Sequence, residues 1–455
     1  MSLENKKTGK FLLNKNISAK ANTAVNKSEL IRFWHNFSFG VSRLEIEETD
    51  EFVFSAGNAA KPELADYAYA VNIEEDGIFV AASNEKNLIY GFMTLLNMIQ
   101  MDEPECAYLK CCELGESPKI KIRMAHFCVF HDTELWELEK FVKLCAALKY
   151  SHVIVEFWGM LKLDCMKELA WERGFDKNQI SPIIKTANEL GLEIVPMFNH
   201  WGHASAGQLM HGKHVVLDQN PSLQYLFSDD GWRWRIERND VRVLLRQIRA
   251  ELEELCGAGE YFHIGCDEAF GFGYSKHETD ELAEFINEVS DELKQSGRKA
   301  IMWADMLLSQ RNGDEYVCNA PDIESEKYMM SKLNKEILMA DWQYTVKKLP
   351  VETSIALKKA GFDVLICPWD ISDDACDACV GTAKEYELGG VLHTTWHTLT
   401  SGYQYVNRVA AECWSDEKKP WFDYILKNAA LIRKINPNSN YEKSGWAKRE
   451  TGIKL

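Results

Sequence analysis

No stretch of this 455-residue chain approaches the ~18 consecutive apolar residues that a membrane-spanning helix needs, so no membrane partner is expected. The first residues, "MSLENKKTGKFLLNKNISAKANTAVNK", are polar and lack the apolar core of a secretory leader, which points to a cytoplasmic protein. Basic residues are in deficit. Lys and Arg total 52 against 69 Asp and Glu, and a formal charge of -17 argues against nucleic acid as a partner. There is no G-x-x-x-x-G-K-[ST] loop, no GxGxxG fingerprint and no basic aromatic patch, so no nucleotide or other cofactor is expected. Thirteen cysteines are present, an odd number with no repeated CxxC pattern. Cys128 and Cys266 sit inside apolar runs, where a buried, reduced thiol is expected, in keeping with a reducing compartment.

What is present is alternation. From about residue 120, short apolar runs alternate with helical stretches: "IRMAHFCVF", "HVIVEFW", "EIVPMFN", "YFHIGCD", "AIMWADML", "EILMADW", "FDVLICPW" and "GGVLHTTW". Nearly continuous apolar strands suit a parallel sheet covered on both faces. The intervening segments, such as "ELWELEKFVKLCAALKY" and "DELAEFINEVSDELKQSG", have helical spacing, and the latter is closed by Gly297. Eight such units predict an α/β fold, a (β/α)8 TIM barrel, with a doubly wound open sheet as the competing arrangement. Residues 29–118 read as a small α+β domain ahead of it, through "EFVFSA", "YAYAVNIEE", "GIFVAA" and "NLIYGFMTLLNMIQ". The expected organisation is a polar segment over 1–28, the small domain over 29–118, the barrel over 119–430 and a polar tail over 431–455.

In such a barrel the site forms at the C-terminal ends of the strands. Those ends carry Glu156 and Trp158, Asn199 with His203 beyond, Asp267 and Glu268, Trp303 and Asp305, Trp342 and Tyr344, Trp369 and Asp370, and Trp396 and His397. Five of the eight bear a tryptophan. One tryptophan at a strand end is ordinary packing. Five at equivalent places, among carboxylates and amides, suit a sugar, whose C–H faces stack on indole and whose hydroxyls need polar partners.

The run "HIGCDE" resembles the H-x-G-G-D-E signature of family 20 of the glycoside hydrolases, the β-N-acetylhexosaminidases, with Cys266 where the second glycine stands. The likeness extends along most of the chain. "YAYAVNI" and "LIYGFMTLLNMIQ" are similar to that family's small N-terminal domain. "LGLEIVPMFNHWGHASA" is similar to its "G-I-x-V-I-P-E-I-D-x-P-G-H-x-x-A" segment through Pro196, Gly202, His203 and Ala206. "IMWADM", "ADWQY" and "LGGVLHTTW" fall where the family's pocket tryptophans occur.

Glycoside cleavage needs two carboxyl groups in different protonation states, which different surroundings can give to neighbours. The resemblance implies Glu268 as general acid and then base, and Asp267 as the group that orients a substrate 2-acetamido group. The acetamido oxygen would be the nucleophile, giving an oxazolinium intermediate and net retention. His203 would tune the acid, and Arg123 would hold sugar hydroxyls. Trp303, Trp342 and Trp396 would wall the acetamido pocket, Tyr344 would bind its oxygen, and Trp369, Asp370, Glu156 and Asn199 would complete the rim.

Three positions depart from the family pattern: Asn199 replaces an acid after strand 3, "EFWGM" leaves Glu156 as the carboxylate nearest strand 2, and Thr398 replaces a glutamate after strand 8. The implied partner is a small carbohydrate bearing terminal β-linked GlcNAc or GalNAc. Two alternatives stand beside this reading: a catalytically silent sugar-binding barrel, and a retaining β-glycosidase with Glu156 as carboxylate nucleophile. The histidines of "HWGHASAGQLMHGKH" lack an acid at fixed helical spacing, so no metal is expected.

Overall fold

The computed structural model describes residues 2–130, 132–205, 216–311, 316–369, 372–396 and 399–435. The chain divides into two units, residues 118–418 and residues 1–117 together with 419–455.

The smaller unit is built on a sheet of eight strands: β1 (Ser2–Leu12), β2 (Asn16–Asn22), β3 (Arg43–Thr49), β4 (Val53–Gly57), β5 (Tyr69–Glu74), β6 (Gly77–Ala82), β7 (Gln100–Glu103) and β8 (Cys106–Glu116). The order is β1-β8-β5-β6-β4-β2-β3, with β7 on β8. Helices Ser28–Phe37 and Glu85–Met98 belong to this unit, and Trp34, Phe54 and Phe92 interlock with ring centroids 5.1–6.1 Å apart. Residues 1–28, expected as a polar segment, supply β1 and β2 of this sheet. On β2 the apolar face is Ile17, Ala19 and Ala21, two of them small and all set between polar residues, so a strand of period two reads as merely polar. At the other end, helix Trp421–Ile435 groups with this unit rather than with the barrel, packing on helix Ser28–Phe37.

The larger unit is the closed barrel: β9 (Ile122–Cys128), β10 (His152–Glu156), β11 (Glu193–Met197), β12 (Tyr261–His263), β13 (Lys299–Trp303), β14 (Leu338–Trp342), β15 (Val364–Cys367) and β16 (Gly390–His393), all parallel, with β16 returning to β9. Each expected run supplies one strand. Met124, Ile154, Val195, Ile301 and Leu392 fill the interior, so the barrel is a packed core rather than a pore. Helix Lys276–Gln295 shows why the segments between strands are helical. Ser275 and Glu278 form a capping box, apolar residues recur on one face, and Gly297 at φ 84 follows its end. Among the described residues, no helix is long and apolar enough to cross a membrane.

Candidate active site

β12 ends at His263, and the backbone then takes left-handed conformations at Gly265 (φ 68), Cys266 (φ 76) and Glu268 (φ 43). Only glycine fits the first of these, since a Cβ on Gly265 would lie 1.8 Å from Asn199 Oδ1. A Cβ on Gly202 would lie 1.9 Å from the carbonyl oxygen of Asp267. The loop after β11 therefore lies backbone to backbone on the loop carrying the two acids. Cys266 occupies a conformation that favours glycine, at a cost of order 1 kcal/mol, and burial pushes its thiol well up.

This contact brings His203, itself at φ 51, between the carboxylates. Its Nε2 is 2.8 Å from Glu268 Oε2 and 3.5 Å from Asp267 Oδ2. Asp267 is buried, whereas the Glu268 side chain is 32% exposed, so the second acid alone meets a ligand with freedom to move. Asp305, just beyond β13, clamps the pair from the other side. Its carboxylate accepts the Glu268 backbone N–H (2.9 Å), the Trp342 indole N–H (3.2 Å) and the Asn319 amide (2.7 Å). Burial first, and then the charge of Asp267, pushes the Asp305 carboxyl up to about 7.

The aromatic residues of the last four strands form one connected wall. Trp303 lies 5.8 Å from Trp396, whose indole N–H donates to the Tyr344 hydroxyl at 2.8 Å. Tyr344 in turn packs on Trp342 at 5.0 Å and Trp369 at 5.1 Å. Trp303 is fully buried at the base of this wall, and its indole N–H has no acceptor among the described residues.

Glu156 and Asn199 lie deeper than a rim position. Glu156 is fully buried, with His126 Nε2 at 3.3 Å and the Asn199 amide at 3.4 Å. His126 packs on Trp396 at 4.6 Å, so this polar cluster adjoins the wall from inside the barrel. Two further interior histidines, His263 and His393, are driven down to about 3 by burial and then by neighbouring His126.

Arg123 requires a correction. It stands at the start of β9, at the opposite end of the barrel, where its guanidinium donates to the carbonyls of Lys149, Ile120 and Lys121 and lies 4.7 Å over Trp414. An arginine one residue into a strand cannot reach the other rim; it seals the barrel floor instead. Asp370 and Thr398 lie outside the described residues, as do His211 and His214. Among the described residues, His152, Glu193 and Glu260 form the only group spaced to hold a metal ion. It sits at the strand starts, where Glu193 already accepts the N–H groups of Glu260 and Tyr261. Sequence reasoning placed Asp305 at a strand end but gave it no role, and it passed over His126 and Trp232. The two-residue step from Trp303 to Asp305 signals the first of these. Trp232 sits between strands, where periodicity is silent.

The catalytic-domain model of glycosyl hydrolase family 20 matches residues 156–375. A lacto-N-biosidase of Bifidobacterium bifidum is 23% identical over 276 residues, 55% of this chain and 23% of that protein, so the chain spans under a quarter of that relative's length. The exo β-N-acetylglucosaminidase of Vibrio harveyi, solved with N-acetylglucosamine, superposes with a TM-score of 0.70 at 15% identity, covering 96% of this chain and 76% of that one. The β-N-acetylhexosaminidase of Bacteroides fragilis gives 0.67 at 15% identity over 96% and 98%. The Streptomyces plicatus N-acetyl-β-hexosaminidase gives 0.67 at 14% over 98% and 95%. The match begins at Glu156, runs through the paired acids and the clamp, and lies wholly within the eight-stranded barrel that these structures share. The chain is a glycoside hydrolase whose barrel matches the family 20 catalytic domain over residues 156–375.

Proposed function

We propose that the protein is a retaining exo-β-N-acetylhexosaminidase that removes terminal β-linked GlcNAc or GalNAc. The observation that carries this reading is the pair Asp267 and Glu268, one buried and one half-exposed, bridged by His203 against a wall of tryptophans. Glu268 gives its proton to the glycosidic oxygen as that bond to the anomeric carbon breaks. The substrate's acetamido oxygen attacks the same carbon from the opposite face and closes an oxazolinium ring. Asp267 aligns the acetamido nitrogen and balances its developing positive charge. Glu268, now ionised, takes a proton from the attacking water, and the second inversion restores the β configuration. The GlcNAc bound to the Vibrio harveyi enzyme supports this ligand class. Glu156, fully buried and already engaged by His126 and Asn199, is poorly placed as a competing nucleophile.

The test is a matched pair of aryl glycosides. Aryl β-GlcNAc should be hydrolysed and aryl β-glucoside should not, because the nucleophile belongs to the substrate. Comparable rates on both would sink the mechanism and restore Glu156 to consideration.

A further inference from the structure

The general acid has an aromatic neighbour that the reaction above does not use. Phe270, two residues past Glu268, is 37% exposed, an unusual position for a phenylalanine in a loop held this tightly. Its ring stacks on Trp232, with centroids 5.8 Å apart and planes inclined by 23°. Trp232 is buried and packs on His203 at 4.4 Å. One atom ties the group together: the carbonyl oxygen of Glu268 accepts both the Trp232 indole N–H and the Phe270 backbone N–H, the latter at 2.7 Å. Two rings in series therefore stand on the backbone of the acid itself, and the outer one faces solvent.

A general acid protonates the oxygen that joins the sugar to its leaving group, so the leaving group must lie on the acid's side of the pocket. Trp303 packs on Trp396, Trp396 and Trp342 meet at Tyr344, and Trp342 donates to Asp305; among the described residues Phe270 stacks instead on Trp232. The site thus has two separate aromatic surfaces with the acid at their junction. A flat ring kept partly in water, yet fixed by a buried partner, costs little entropy when it takes a ligand and matches the apolar C–H face of a pyranose.

We propose that Phe270, backed by Trp232, is the platform for the leaving group, and that this group is a sugar ring rather than an alkyl chain. The proposal rests on the function above. It makes Phe270 a specificity residue: the platform favours glycosides whose leaving group presents a ring, and the chemical step is common to all.

The experiment compares a disaccharide of two β-1,4-linked GlcNAc residues with methyl β-GlcNAc, in the wild type and in Phe270→Ala, Phe270→Leu and Phe270→Trp. The leucine variant keeps an apolar side chain over Trp232 and guards against a folding defect in the alanine variant. Both should lower kcat/KM for the disaccharide about tenfold more than for the methyl glycoside, and Phe270→Trp should restore the ratio. Equal losses on the two substrates, or no loss on either, would overturn the platform. Hydrolysis of neither substrate by the wild type would instead remove the proposed function, and this assignment with it.

Discussion

Asp305→Asn separates what the clamp does for catalysis from what it costs the fold. In the wild type one carboxylate oxygen accepts the Glu268 N–H and the Asn319 amide, and the other accepts the Trp342 indole N–H. An asparagine must turn its NH2 toward one of these sides, leaving a buried donor facing a donor. That loss is worth roughly 1–3 kcal/mol, and it falls on Glu268, which is held at φ 43, or on the tryptophan wall. At ~1.4 kcal/mol per decade, kcat on an aryl β-GlcNAc should fall by about fivefold to somewhat over a hundredfold. Stability should move the other way. The folded-state carboxyl sits at about 7 against an ordinary 3.8, so the folded protein holds this proton more tightly than the unfolded chain does. The stabilisation is therefore complete below pH ~4 and is lost as pH rises to about 7, by at most about 4 kcal/mol, shared with Asp267. The Tm of Asp305→Asn minus that of the wild type should grow between pH 4 and 7 and level off above. Steady-state kinetics and thermal melts across pH test both halves. A kcat within threefold of wild type refutes the clamp, and a Tm difference that stays flat with pH refutes the raised carboxyl.

The two acids should separate by leaving group. Glu268→Gln should nearly abolish cleavage of poor leaving groups while sparing activated aryl glycosides more, and Asp267→Asn should impair both kinds alike; parallel losses in the two variants would contradict the division of roles. The interior histidines predict acid sensitivity. His393 is buried, with both ring nitrogens lacking partners among the described residues, and its folded value of about 3 lies below the ordinary 6.5. Its contribution is present above pH ~6.5 and is lost as pH falls toward 3, at ~1.4 kcal/mol per unit. His393→Phe should flatten the acid limb of a stability-against-pH curve by about that slope, and an unchanged slope in urea melts would show that the ring is not held neutral.

The barrel was legible because each strand is a nearly continuous apolar run and stretches of helical spacing lie between the runs. The acids were legible because a fixed motif surrounds them. Other features were hidden for physical reasons. Strand β1 is mostly polar, and β2 alternates Asn, Ser and Lys with one isoleucine and two alanines, so their buried face carries little hydrophobic signal. Arg123 is tied to the sugar by the family resemblance alone; its place at the start of β9 points its guanidinium to the carbonyls of Lys149, Ile120 and Lys121 instead. Trp232 reaches the acid through a loop with no period, and Asp305 acts through backbone and indole N–H groups that no side-chain pattern records.

The close approach at Gly202 sets how this site is able to change. Because no side chain separates that glycine from the Asp267 carbonyl, the spacing between His203 and the acids is a main-chain dimension, with nothing to trim or enlarge. Repacking can retune a gap filled by side chains in small steps, but it has no purchase here. The two loops must shift together or not at all. Variation in what the enzyme accepts is therefore channelled outward, to the rings and carboxylates around the acids, while the histidine–acid geometry passes through such substitutions as a fixed template.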